Sequence, residues 1–463
     1  MVWTIALKEI RENLLSLRFV LLFLLAVVFI PSSLYTNYRA YLSRLTDQQQ
    51  IEQNNRDYLR KLKIAQIFTN PRFAIDVYWP PAPTSVFAAG FEEIHPRHLV
   101  VGKNSVEYGA PLDVQSSSGL FGSIDYLFVV QFIFSLFAVL LSFDAITREK
   151  EQGTLRSILS NPVGRAVLAT GKLAGGYITL AIPLLCSFLL GILILQVSGL
   201  NIFSGDFLTR AAWILAMSFL YIAVFFLMGL LVSSLVSTTY AALVLSLAIW
   251  LTTVLVLPRT ASLAAQLWQP VKSRQVTWLE KVSVENGMEF EKGRALEEAL
   301  RKNSGIQDEG WQKKRNEIAT PFEERLGQSI RRLEDDYRAR KASQVALSLR
   351  MARLSPAGAF VSFITEMADT GIREESWFNA EAERYREILR NELFSKIHLD
   401  VYPSGGISMG MSSMVNPAQL PEFRLPHSLV RDSLRGTDLA ILLIWFLAAA
   451  GMAYVALARY DVR

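Results

Sequence analysis

Six apolar stretches, at about 18–36, 125–143, 173–197, 211–235, 238–257 and 438–458, constrain this chain more than anything else in it. Each approaches the roughly 20 residues that a helix needs to cross a bilayer core, and none carries Lys, Arg, Asp or Glu in its interior. A charge held at the centre of a bilayer costs about 2.5 kcal/mol or more. Six charge-free stretches therefore predict six transmembrane helices. With 51% hydrophobic residues gathered into blocks, and a mean hydropathy of +0.27, the chain is not composed like a soluble protein. The first stretch reads as a retained helix rather than a cleaved leader. Its basic flank also carries Glu9 and Glu12, it exceeds the usual leader core, and no small-x-small cleavage pattern follows it.

Basic residues then orient the spans. Lys8, Arg11 and Arg18 precede the first span, Arg148, Lys150, Arg156, Arg165 and Lys172 lie between the second and third, and Arg459 and Arg463 follow the last. Six spans put these three segments on one side, which the charge bias predicts to be the cytoplasm. The long polar segments A, 37–124, and B, 258–437, then lie outside. A net charge of +5 spread over both compartments gives no reason to expect a nucleic-acid partner. The single cysteine, Cys186, cannot form an intrachain disulfide and reads as a small apolar core residue.

Between the spans, residues 1–17 place Trp3, Ile5, Leu7, Ile10, Leu14 and Leu17 at helical spacing against Lys8, Glu9, Arg11 and Glu12. That pattern predicts an amphipathic helix on the cytoplasmic surface; the alternative is a plain extension of the first span. Residues 37–70 are polar and helix-prone, and Pro80, Pro81 and Pro83 exclude helix beyond them. Segment B opens at Pro258, and 275–303 with 310–352 predict an antiparallel helical hairpin, its apolar positions (Ile318, Phe322, Leu326, Ile330, Leu333) recurring every three to four residues. A mostly helical stretch runs from Pro356 to about Lys396, before a loop rich in Gly, Ser, Met and Pro. The expected fold class is a membrane all-α six-helix transmembrane bundle plus a large extracytoplasmic α+β domain with a long helical hairpin.

The loop 144–172 carries the densest local pattern. Asp144 and Thr147 leave the second span, and Arg148, Glu149, Lys150 and Glu151 form a charged collar. Gly153 and Thr154 break the chain, Leu155, Ile158 and Leu159 put an apolar stripe on a short helix, and Asn161–Pro162 ends it. Such a helix suits docking into a partner's groove, and equally suits resting on lipid headgroups.

The run from Asp144 to Lys172, DAITREKEQGTLRSILSNPVGRAVLATGK, resembles the permeases of type-2 ABC exporters. Their charged Gly-Thr-Leu stretch, Pro-Val-x-Arg turn and Gly-Lys before the next span match here, as do six spans behind an amphipathic N-terminal helix. The resemblance implies that this loop is a coupling helix for a nucleotide-binding subunit, with Glu149, Glu151, Gly153, Thr154, Leu155, Arg156 and Leu159 as contact candidates. It also implies that Lys8, Glu9, Arg11 and Glu12 belong to an elbow helix. Long segments A and B, with Leu354-Ser355-Pro356-Ala357 before the last span, are similar to a subgroup with large extracytoplasmic insertions. The partners implied are an ATP-binding-cassette ATPase subunit, a second permease copy or a related permease, the lipid bilayer, and a periplasmic protein or lipoprotein docked on the outside. The location implied is the bacterial inner membrane.

The remaining chemistry points away from catalysis. A phosphate-binding loop needs GxxxxGK[ST]; Gly164 to Lys172 has the wrong spacing and is followed by Leu173. ATP and Mg belong to the partner ATPase, and no cofactor or metal is expected in this chain. Glu92, Glu93, His95 and His98 lie together, but Pro96 prevents a helical arrangement of ligands, so a polar surface turn is expected. Met409, Met411 and Met414 read as a flexible loop. Polar residues inside the spans (Gln131, Ser142, Ser187, Gln196, Ser218, Ser246, Thr252, Thr253) are expected to bridge helices, and the aromatics Trp213, Phe219, Tyr221, Phe225 and Phe226 to pack or to face a lipid-like substrate. Two functions follow: a permease exporting a substrate or working mechanically on an outside partner, or a membrane-anchored receptor or scaffold without transport.

Overall fold

The computed structural model describes residues 2–61, 74–90, 98–102, 106–108, 124–154, 164–302, 308–396, 423, 433–434 and 436–459. Six of the described helices are long and apolar enough to cross a membrane. They are α2 (Leu17–Lys61), α3 (Tyr126–Glu151), α4 (Arg165–Val197), α5 (Gly205–Leu235), α6 (Thr239–Trp268) and α11 (Gly436–Ala458). Helix α1 (Val2–Leu14) precedes them as a separate element. The chain turns at Leu15–Ser16, where the Ser16 hydroxyl accepts the Phe19 N–H at 3.2 Å and so caps the start of α2. The plain extension of the first span is thereby excluded.

Helix α5 is the centre of the bundle. It packs against α3, α4 and α11, and Tyr221, Phe225 and Phe226 are fully buried on it. Tyr221 stacks on Phe360 with ring centroids 4.2 Å apart. The aromatics of this span therefore pack the core. Helix α3 contains a wide π turn at Val129–Phe134. An extra residue in a helical turn disturbs the usual hydrogen-bond ladder, and the Gln131 carbonyl accepts the Tyr221 hydroxyl at 3.0 Å. In a low-dielectric bundle every backbone polar group needs such a partner. Cys186 corrects an expectation: it is exposed on the outer face of α4, beside Leu185 and Leu189. A thiol is apolar enough to face acyl chains, so burial was not required of it.

Two helices run on beyond the predicted span boundaries. Pro258 does not end the fifth helix. A π turn at Thr252–Val256 resets the ladder just before it, which leaves Pro258 in a first-turn position where no N–H is needed, and the helix runs to Trp268. Nor does the first helix stop where its sequence turns polar. Residues 37–61 are rich in good helix formers, and α2 continues through them for 45 residues in all. At 1.5 Å per residue it is about 68 Å long, twice the thickness of a bilayer core.

The far end of α2 reaches a second core. Strands β1 (Ala74–Tyr78), β2 (His98–Gly102) and β3 (Val106–Tyr108) form an antiparallel sheet in the order β1-β2-β3, with Ala74 opposite Gly102 and Leu99 opposite Tyr108. Leu59 of α2, Ile75, Val77 and Val101 of the sheet, and Phe378, Ala382 and Tyr385 share this core. The last three lie on α10 (Ile372–Lys396). Helices α7 (Arg274–Lys302) and α8 (Asp308–Ala352) run antiparallel where periodicity predicts a hairpin. Lys281 pairs with Glu334, and Gln344 donates to the Gln269 carbonyl at 2.7 Å. Arg338 of α8 ties the hairpin to the sheet, donating to the Val106 carbonyl and pairing with Glu383 of α10. Between α8 and α10, helix α9 (Pro356–Met367) is buried against α5 and α11. Its start is set by Ser355, whose hydroxyl accepts the Gly358 N–H at 2.9 Å, with Pro356 in the first turn.

Candidate functional site

Helix α1, the C-terminal end of α11 and the described parts of segment 144–172 lie at one end of the bundle, where Arg165 donates to the Ala458 carbonyl. The charged collar at this end is built into the helix ends around it. Helix α3 makes a turn at 143–146 and resumes as Thr147–Glu151. The N–H groups of Ile146 and Thr147 both donate to the Ser233 hydroxyl, at 2.9 and 3.0 Å, which fastens the turn to α5. On the other side, Arg18 of α2 bonds the Leu140 carbonyl at 2.8 Å and pairs with Asp144 at 3.1 Å.

Lys150 and Glu151, adjacent in sequence, serve two helix ends of opposite polarity. The Lys150 ammonium donates to the carbonyls of Ser233, Ser234 and Val236, at 3.3, 2.6 and 3.0 Å, at the C-terminal end of α5. Glu151 accepts the Thr239 N–H at 2.7 Å and its hydroxyl at 2.6 Å, at the N-terminal end of α6. Cations favour helix C-termini and anions N-termini, because unsatisfied carbonyls and N–H groups concentrate there. The turn from α5 into α6 is thus clamped from both ends by one dipeptide.

Glu149 points the other way, to Lys172 of α4. The Lys172 ammonium lies 2.8 Å from Glu149 and 2.6 Å from Glu9 of α1, and only 4% of its side chain is exposed. The second oxygen of Glu149 is buried without a hydrogen-bond partner among the described residues. Helix α1 reaches Lys172 because α4 offers glycines at Gly171 and Gly175. A Cβ on Gly175 would lie 2.6 Å from the Glu9 Cβ and 2.7 Å from the Ala6 carbonyl oxygen, and one on Gly171 would lie 2.8 Å from Ile5. This small-xxx-small spacing lets two backbones approach closely. Trp3 and Leu7 remain exposed on the opposite face of α1.

The sequence candidates therefore divide. Glu149, Glu151 and Glu9 are joined to internal partners. Gly153 and Thr154 are at the exposed tip, Gly153 at φ +71° with no described atom within 4 Å of the place a Cβ would take. Lys8 and Glu12 form an exposed pair at 3.6 Å, and Arg11 is exposed. Leu155, Arg156 and Leu159 lie outside the described residues, as do Glu92, Glu93, His95 and the three methionines. Sequence reasoning missed Lys172 and Lys150 as structural centres, treating them as charges that orient the spans and as parts of the charged collar and the Gly-Lys element. The Gly171–Gly175 spacing beside Lys172 was the available signal. No cluster of metal ligands occurs among the described residues.

The family model described as ABC-2 family transporter protein matches residues 3–462, nearly the whole chain. The chain belongs to the ABC-2 transporter family. Curated relatives include the probable ABC transporter permease protein NosY of Pseudomonas aeruginosa, 44% identical over 57 residues, and that of Stutzerimonas stutzeri, 42% identical over 57 residues. Each match covers 12% of this chain and 21% of the relative, so the chain spans about a fifth of the length of the curated relatives it matches. As an ABC-2 protein with six candidate spans, it is a multi-pass membrane protein of the permease type. The hub around Lys150 and Lys172 is thus a meeting point of helices in an ABC-2 permease.

Proposed function

We propose that this chain is the membrane-spanning subunit of an ATP-binding-cassette exporter, moved by a separate ATPase that presses on segment 144–172. The observation that carries the reading is the position of Asp144–Glu151, tied to α2, α4, α5 and α6 and, through Lys172, to α1. A push on the exposed tip at Gly153–Thr154 would reach every one of these helices through short, charge-assisted bonds. Leu155, Arg156 and Leu159 extend the contact surface in this reading, with Glu149 and Glu151 acting behind it as struts. ATP and Mg bind in the ATPase, since this chain lacks a phosphate-binding loop.

The basic flanks favour a cytoplasmic position for this end and both termini, with the sheet, hairpin and α10 outside the inner membrane. A second copy or a related permease completes the assembly. The output is export of a substrate, or mechanical work on a periplasmic protein or lipoprotein that docks on the outside segments. Co-purification of the chain with its ATPase, and ATPase rates in vesicles, test the reading. Gly153→Pro should weaken the complex, whereas Glu151→Ala should leave association intact and reduce the chain's stimulation of hydrolysis. If both variants match the wild type in both measurements, the hub is not the coupling site. If no ATPase associates at all, the receptor or scaffold reading replaces it.

A further inference from the structure

Two wide π turns, at Val129–Phe134 in α3 and at Thr252–Val256 in α6, are joined by a chain of hydrogen bonds. Ser135 is the first residue after the turn in α3, and Trp250 lies two residues before the turn in α6. The Trp250 indole N–H donates to the Ser135 hydroxyl at 2.9 Å. That hydroxyl donates to the Gln131 carbonyl, which also accepts the Tyr221 hydroxyl at 3.0 Å. A hydroxyl gives one proton and accepts as well, so all these bonds form at once. The Ser135 N–H turns to the Phe132 carbonyl, three residues back. In a regular helix it would bond Gln131, four residues back. Two hydroxyls thus hold the Gln131 carbonyl out of the regular ladder. In α6 the Leu257 N–H reaches the Thr252 carbonyl, five residues back.

The parts of α3 and α6 on the hub side of these turns form a pair. Residues 135–151 and 239–251 are tied at the hub by Glu151 and Thr239, and at mid-bundle by Ser135 and Trp250. The far start of α3 is fixed separately, where the Tyr126 hydroxyl donates to Ser218 at 2.8 Å. Ser246 shows that the pair is not fully matched to its surroundings. Ser142, Ser187 and Ser218 each bond the carbonyl four residues back, the usual resort of a serine in an apolar helix. Ser246, one turn before Trp250 and 2% exposed, leaves its hydroxyl without a hydrogen-bond partner among the described residues. A buried polar group in this condition marks a place where another arrangement gains a bond.

We propose that residues 135–151 and 239–251 move as one body, with the two π turns as hinges and the Trp250–Ser135–Gln131–Tyr221 chain as the catch that holds this state. The inference deepens the coupling reading and rests on it for the source of the push. When a π turn closes to α, its extra residue rejoins the ladder. The helix beyond then turns by about 100° and advances by about 1.5 Å, and a side chain about 5 Å from the axis swings by about 8 Å. Because the turns are linked, both helices take this step together. The bonds from Ile146 and Thr147 to Ser233 are the ones the step exchanges.

The test uses the full chain in nanodiscs without an ATPase, in a Cys186→Ala background diluted with unlabelled chain, and reads spin-label distances. One pair, Val244→Cys with Leu263→Cys, spans the π turn of α6. The other, Arg148→Cys with Val244→Cys, lies within the proposed body. All three positions are exposed. Tyr221→Phe removes one hydroxyl and keeps the ring that stacks on Phe360. Trp250→Phe removes the indole N–H and keeps an aromatic ring. Losing one such bond should raise the population at a second Val244–Leu263 distance roughly two- to tenfold, while Arg148–Val244 keeps a single distance. Should Trp250→Phe fail to fold, Tyr221→Phe decides alone. Wild-type distances in the variants, or an equal change in the two pairs, overturn the proposal. No ATPase enters the measurement, so failure here leaves the coupling reading standing, and failure of an ATPase to associate leaves this result standing.

Discussion

Replacing Lys172 with Met tests whether α1 is locked to the bundle by charge. The side chains are similar in length, so the change removes the ammonium with little change in volume. It leaves Glu9 and Glu149 facing each other across the site that Lys172 held at 2.6 and 2.8 Å, in a place where the ammonium was only 4% exposed. Removing one partner of a buried pair costs about 3–5 kcal/mol, because the remaining charge is uncompensated. The cheapest escape is for α1 to leave α4 and carry Glu9 into water. Each factor of ten in an equilibrium corresponds to about 1.4 kcal/mol, so 3 kcal/mol corresponds to roughly a 150-fold rise in the detached population. Hydrogen exchange of residues 2–14 followed by mass spectrometry reads that population, with the amides of α5 as internal control. The triple variant Lys172→Met, Glu9→Gln, Glu149→Gln removes the stranded charges and should recover most of the protection. If α1 exchanges equally in wild type and in Lys172→Met, or if the triple variant is as unprotected as the single one, the charge lock is wrong and apolar packing alone holds the helix.

Gly175→Leu should detach α1 by a steric route, since its first atom already falls 2.6 Å from the Glu9 Cβ, whereas Gly205→Ala, with nothing within 4 Å, should be silent in the same exchange measurement. Exchanging the clamp residues as Lys150→Glu with Glu151→Lys preserves net charge but sets each against the wrong helix end, and should lower the unfolding midpoint in a mixed-micelle assay. Arg210→Met removes the guanidinium paired with Asp369 and a bond to the Met367 carbonyl, so stability should fall in the same assay. Glu374 predicts a pH dependence. Burial raises its folded pKa, so below about 4.5 its carboxyl is neutral in both states, and stability falls as pH rises from 4.5 to about 7; in Glu374→Gln that part of the slope should vanish from unfolding curves measured across the window.

The spans were legible because the cost of a charge in hydrocarbon leaves a deep mark on composition, whichever neighbours a helix has. The ends of those helices were not. Pro258 looks like a terminator in sequence, but a π turn upstream changes what the proline has to satisfy. The polarity of 37–61 reports solvent around the helix and says nothing about whether the helix stops. At the hub, the charged residues of 148–151 stood out, but their directions did not. On one short helical turn Glu149 faces α4 while Lys150 and Glu151 face the turn between α5 and α6. Which carboxylate is a strut and which residue is a tip depends on partners far along the chain, such as Lys172 and Thr239, the latter 88 positions from Glu151. Spacing rules reach only one or two helical turns.

The unbroken course of α2 turns small angles into measurable distances. Its base holds Asp144 through Arg18, and its other end places Leu59 in the core shared by the sheet and α10. A helix of 45 residues that pivots as a unit near its base sweeps its tip through about 1 Å for every degree of tilt. A rotation of about 10°, well within the range of helix tilts in membranes, would carry Leu59 about 11 Å. The sheet would travel with it, because Ile75, Val77 and Val101 share its core. Spectroscopic distance pairs spanning that core and the bundle would therefore register a change at Asp144 too small to see at Asp144 itself.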